Sequence, residues 1–148
     1  MIMRQLSRLD EICLNVDTAI RTLFGRPKDT GRPRPDDNID PSVDAALSDQ
    51  EKALAAALMR VDHCGEVCAQ GLYQGQALTA RLDEVKSAMQ QAANEENDHL
   101  RWCRDRVKEL GSHTSYLDPL FYLGSLAIGA TAGLVGDKWS LGFVAETE

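Results

Sequence analysis

The sequence predicts an all-α domain organised around one long helical hairpin, and three observations carry that expectation. Aromatic residues make up only 5% of the chain against 43% apolar residues in all, and alanine, leucine, glutamate and glutamine dominate its middle. That composition favours helices over a sandwich or barrel. Apolar positions recur at intervals of three and four. Glu96-Asn-Asp-His99, inside a strongly helical stretch, puts a carboxylate and an imidazole on one helix face, because residues three apart project the same way. With 148 residues, the chain is long enough for one domain with a hydrophobic core.

Leu6, Leu9, Cys13, Val16, Ile20 and Leu23 form an apolar stripe, predicting an amphipathic helix over about residues 5–24. Gly25 and Pro27 stop it. Four of the five prolines fall between Arg26 and Ser42, which reads as an extended linker with little structure of its own. Ser48-Asp-Gln-Glu51 has the form of a capping box, so a long helix should start there and run to about Thr79. Gly65, Gly71 and Gly75 interrupt its propensity at roughly 1 kcal/mol each relative to alanine, and they mark places where a helix or ligand approaches. A break near Arg81 and a second long helix from about Asp83 to Leu110, stopped by Gly111, complete an antiparallel hairpin.

Residues 119–136 hold 18 positions without a charge, the lower limit for spanning a bilayer. The Gly129-x-x-x-Gly133 pair suits close helix packing. Three readings stay open: a buried bundle helix, a helix lying in the membrane interface, and a true span. A further helix begins near Trp139 and is still running at the end of the sequence.

The net charge of −7 argues against nucleic-acid binding, which needs clustered basic charge. Residues 1–34 carry a balance of +3, leaving −10 for the rest, so the N-terminal helix suits either an anionic membrane surface or plain solvation. No secretory signal precedes Cys13, Cys64, Cys68 and Cys103, and free thiols in a reducing cytoplasm are expected. Cys64 and Cys68 read as small apolar residues in a helix contact, with zinc or redox pairing as the alternative.

Taking Arg81 as the turn, Glu66 and Glu96 each lie 15 residues away. At about 1.5 Å per residue both stand roughly 22 Å from the turn, at one level on neighbouring helices. Spacing thus permits Glu66, Glu96 and His99 to share a metal ion, although it does not fix helix rotation. Solvated surface charges satisfy the same pattern. His63, on the face of Glu66, reads as a ligand, a hydrogen-bond partner of a ligand, or a surface histidine.

Longer motifs narrow this choice. Arg60-Val-Asp-His-Cys-Gly-Glu-Val-Cys-Ala69, Tyr73-Gln-Gly-Gln76, Glu95-Glu-Asn-Asp-His-Leu100 and the stretch from Gly136 to Glu148 resemble the signature segments of the demethoxyubiquinone hydroxylase family. With the N-terminal helix and proline-rich linker, the resemblance to its bacterial branch covers essentially the whole chain. It implies a ferritin-like four-helix bundle holding two iron ions (Fe) per full-length subunit. The divisions are an N-terminal helix over 1–25, a linker over 26–47 and an incomplete di-iron domain over 48–148.

Carried over by motif, Glu66 is the ligand of the first bundle helix, and Glu96 with His99 forms the Glu-x-x-His of the next. Glu148 is the carboxylate of the third, with Glu146 as fallback. The family pattern continues into a fourth helix with a second Glu-x-x-His, which this chain does not contain, so it reads as a C-terminally truncated member with little or no activity. The resemblance further implies a monooxygenase acting on the ring of a polyprenyl demethoxyubiquinol with O2. An electron donor (NADH or the quinol pool), peripheral attachment to the cytoplasmic face of the bacterial cell membrane and room for a homo-oligomer are also implied. A ferritin-like iron-storage or peroxide-scavenging protein and a metal-free helical membrane adaptor are the rival readings.

Overall fold

The computed structural model describes residues 7–28, 30–40 and 42–147, apart from the side chains of Arg8, Glu146 and Thr147. The described residues form six helices and no strand: α1 (Arg8–Leu23), α2 (Ser42–Ala45), α3 (Asp49–Thr79), α4 (Asp83–Glu109), α5 (Asp118–Val135) and α6 (Asp137–Thr147). Both α1 and α3 start in capping boxes. Ser48 accepts from the Glu51 amide while Glu51 accepts from the Ser48 amide, and Ser7 with Asp10 does the same at α1. Losing such a cap costs about 1 kcal/mol.

The long α3 is the central post, with α4 against one side and α5 against another. Val67 of α3, Leu100 of α4 and Tyr122 of α5 are fully buried together, with Ala19 and Leu23 of α1 packed on them. A second apolar cluster, Tyr73, Ala77, Val85 and Met89, lies nearer the hairpin turn and receives Val144 of α6. The α3–α5 contact is backbone-close: a Cβ on Gly71, Gly75 or Gly129 would overlap main-chain atoms of the facing helix. Gly65 differs, since nothing lies within 4 Å of where its Cβ would be. The close approach expected at the α3 glycines therefore occurs at two of the three.

The turn between α3 and α4 is closed from a distant part of the chain. Leu82, at the N-terminus of α4, offers no side-chain cap. Asp137, the first residue of α6, accepts hydrogen bonds from the Arg81 and Leu82 amides at 3.0 and 2.8 Å instead. Gly111 ends α4 at φ 74°, a left-handed conformation that suits glycine.

The segment expected to be a structureless linker has little regular structure, but it is not loose. It contains the single-turn α2 and is fastened along α4. The Thr30 amide and hydroxyl both donate to fully buried Asp98. Arg34 pairs with Glu109 at 2.6 Å, Arg106 with Asp44 at 2.6 Å, and the Arg32 guanidinium lies 5.5 Å over the Trp102 ring. Buried Arg104 donates to the Thr22 carbonyl at 2.7 Å and to the Gly25 carbonyl, tying the end of α1 to α4.

Residues 118–135 form α5, which packs along one face on α3 and is open on the other among the described residues. Only 22% of the α5 window is buried, and its mean hydropathy of 1.3 makes it long and apolar enough to cross a membrane by length and composition alone. Tyr122, Gly129 and Gly133 pack inward, while Leu120, Leu123, Ile128, Leu134 and Val135 are exposed. The cause is architectural: α3 meets one face of α5, and no helix covers the opposite face among the described residues.

Candidate metal centre

The helices that carry Glu66 and Glu96 meet at the level that the spacing predicts. Donor atoms of Glu66, Glu96 and His99 all lie within 4.8 Å of one another, and this is the one group of three or more such side chains able to hold a metal ion among the described residues. His99 Nδ1 stands 3.1 Å from Glu96 Oε2 and 3.8 Å from Glu66 Oε2. The rotation that sequence could not fix is set by burial. Val67 and Leu100 turn into the core, and the preceding Glu66 and His99, about 100° round their helices, lie on the adjacent face where α3 meets α4.

All three side chains are partly shielded, at 24%, 17% and 38% exposure for Glu66, Glu96 and His99. Burial pushes the Glu66 carboxyl up to about 9, helped by its hydrogen bond with Glu96 and by the negative charges of Glu96 and Asp62. Two crowded carboxyls in a shielded place cannot both ionise cheaply, so Glu66 holds a proton at neutral pH. A cation between them would replace that proton. Oxygen and imidazole donors suit divalent iron, and the partly open side leaves coordination positions for other ligands. The residues present therefore fit a metal ion.

Neighbouring groups hold the two helices in register. Gln70, one turn after Glu66, is fully buried and donates to the Ala93 carbonyl and to Asn97 Oδ1 of α4. The His99 ring lies 5.4 Å from that of Trp102 at 42°, and Trp102 is in turn covered by Arg32. Sequence reasoning missed Gln70, Asn97 and Trp102. The available signal was position: Gln70 is four residues after Glu66 and Trp102 three after His99, so each repeats a ligand's helix face.

The cysteines do not join the cluster. Burial, followed by the charges of Glu66, Asp62 and Glu96, pushes the Cys103 thiol up to about 12. Burial and then Cys68 push Cys64 up to about 11. Both stay protonated and unreactive at neutral pH, as packing residues do.

His63 departs from every expectation. It is neither at the surface nor in the carboxylate cluster, but 1% exposed, with Nδ1 3.2 Å from Asp118 Oδ2 of α5. Burial, and secondarily Arg104, lowers it to about 4, so it is neutral at physiological pH. The start of α5 covers it, a long-range event that local spacing does not encode. Glu148, and the side chain of Glu146, lie outside the described residues. The helix leading to them packs beside the hairpin through Val144.

Residues 53–148 match the family described as ubiquinone biosynthesis protein COQ7. The chain belongs to this family. It is 60% identical over 145 residues to the 3-demethoxyubiquinol 3-hydroxylase of Nitrosococcus oceani, covering 98% of this chain and 66% of that protein. The same-named protein of Legionella pneumophila strain Paris is 56% identical over 147 residues, 99% of this chain and 68% of its own length. That of Polynucleobacter necessarius is 54% identical over 145 residues, 97% and 67%. The chain thus spans about two thirds of the length of these relatives. No solved structure matches. Membership of a ubiquinone-biosynthesis family favours the first of the functional readings over the storage, peroxide-scavenging and adaptor readings.

Proposed function

We propose that a full-length protein carrying this COQ7-family sequence hydroxylates the ring of a polyprenyl demethoxyubiquinol with O2, using iron held by Glu66, Glu96, His99 and Glu148. The observation that carries the reading is the convergence of three donors from two helices within 4.8 Å, in a chain so similar to named hydroxylases. A helical bundle that holds two ions draws on four Glu and two His; the residues named here supply three Glu and one His.

When bound, the iron pair supplies the oxygen activation and electron transfer of the hydroxylation. The chain supplies the rest. Glu66 yields its proton as the metal enters, Gln70 and Asn97 keep α3 and α4 at one height, and Trp102 steadies the His99 ring. An electron donor, NADH or the quinol pool, completes the reaction. The insoluble tail of the substrate calls for a membrane source. The exposed apolar stripe of α1 and the outer face of α5 support peripheral attachment to the cytoplasmic face of the cell membrane.

Anaerobic titration with Fe(II), followed by substrate quinol, an electron donor and 18O2, tests the reading. The purified chain should bind iron through its converging donors, and a full-length protein carrying this sequence should place one labelled oxygen on the ring. Glu96→Gln should lower iron affinity by roughly 100-fold or more, exceeding the loss typical of a residue that only supports a ligand. Unchanged iron content in that variant, or label arriving from water, would refute it.

A further inference from the structure

The turn after α1 and the last turns of α4 enclose a pocket of about 530 Å³. Arg26, Arg101, Arg104 and Lys108 line it, with Asp105 as the acidic side chain and Thr114 as a hydroxyl donor. So dense a positive lining stands out in a chain of net charge −7. Arg104 is committed to the Thr22 and Gly25 carbonyls, and Arg101 lies 4.0 Å from Asp98, which fixes the inner wall. Arg26 and Lys108 are exposed.

Phe24 also lines this pocket and is 74% exposed. It ends the exposed stripe Leu9, Ile12, Val16, Ile20 and Phe24 of α1. Ile12 and Val16 face Leu123 and Leu126 of α5 across an apolar groove of about 510 Å³. The basic pocket therefore adjoins one end of a continuous apolar surface. A phospholipid presents the same pair of features, an apolar layer edged by phosphate.

We propose that this pocket receives the phosphate of an anionic phospholipid head group, with the apolar stripe of α1 resting in the adjoining acyl layer. The inference rests on the membrane reading above and adds a defined lipid site to it. An overall negative protein is repelled by an anionic membrane, so attraction must come from a local concentration of positive charge. Arg26 and Lys108, exposed at the rim, are long enough to carry their charges to a phosphate beside the apolar layer.

Co-sedimentation of the full chain with vesicles tests this, using phosphatidylcholine alone and phosphatidylcholine containing phosphatidylglycerol. The wild type should bind the anionic vesicles roughly tenfold or more tightly, on the order expected for two basic residues near a charged surface. The double variant Arg26→Gln/Lys108→Gln should lose most of that gain, keep its phosphatidylcholine binding and keep its circular dichroism spectrum. Lys52→Gln/Lys138→Gln, removing equal charge elsewhere, should retain the gain. Equal losses in both double variants would reduce the effect to net charge and overturn the site. Phosphatidylcholine binding without an anionic preference would overturn this inference alone, whereas binding to neither vesicle would overturn the membrane reading with it. Glycerol phosphate binding that depends on Arg26 and Lys108, with no effect of vesicle composition, would assign the pocket to a soluble phosphate and reject the lipid.

Discussion

The two sides of α3 are built on opposite principles. Toward α5 the helices touch backbone to backbone, with Gly71 and Gly75 set against Tyr122 to Ala130 and Gly129 set against Leu72. Toward α4 the gap is filled by side chains, among them the buried amide of Gln70 and, on its outer edge, Glu66, Glu96 and His99. The glycine side leaves no room for chemistry and fixes the post. The α4 side leaves room between its helices for the carboxyl groups of Glu66 and Glu96. A rigid seam on one side of a helix lets the other side carry unfavourable charge.

Breaking the seam should have the largest effect. Gly129→Ala places a methyl group on the Leu72 carbonyl, an overpacking error with no flexible side chain to yield, and should destabilise the chain by about 3 kcal/mol. Thermal unfolding followed by circular dichroism should fall by roughly 10 °C. A shift within 2 °C of zero would mean that the seam is not close-packed in solution.

The metal side should respond to pH and not to volume. In the unfolded chain the Glu66 carboxyl ionises near its ordinary value of 4.5, but in the folded metal-free chain it holds its proton to about 9. Between those values the unfolded state binds fewer protons, so raising the pH across this window favours unfolding. Glu66→Gln removes that dependence. Compared with the variant, the metal-free wild type should lose thermal stability progressively from pH 5 to 8.5. Parallel curves would show that Glu66 is not shielded.

Gly65→Ala should have the smallest effect and the opposite sign. Gly65 is an exposed glycine inside α3, with open space where a Cβ would sit, so alanine should stabilise the helix by about 0.5–1 kcal/mol. A loss as large as that of Gly129→Ala would place Gly65 in a packed contact and erase the contrast between the glycines.

What the sequence made legible was whatever depends on local spacing. The Ser48 capping box, the two arms of the hairpin and the common height of Glu66 and Glu96 all follow from helix geometry over short stretches. α1 starts later than the apolar stripe predicts because Ser7-x-x-Asp10 closes a box with Asp in place of the more familiar Glu. Illegible features join distant positions. Asp98 takes Thr30 from 68 residues away, Arg104 takes Thr22 from 82 residues away, and Asp137 caps α4 from 55 residues away. Each depends on which helix faces end up together, which periodicity does not specify. The same reason hid the burial of His63 against Asp118. The single-turn α2 escaped notice because four residues carry no periodic signal.

Proton release on metal binding tests the convergence of α3 and α4 on one cation most directly. Calorimetric titration of the metal-free chain with Fe(II) at pH 7.5, under anaerobic conditions and in buffers of different ionisation enthalpy, counts the protons displaced. Glu66 holds its proton to about 9, so about one proton should be released per ion bound to the wild type and none to a Glu66→Gln chain that still binds weakly. Iron binding with no proton released from the wild type, or with the same release from both chains, would contradict it.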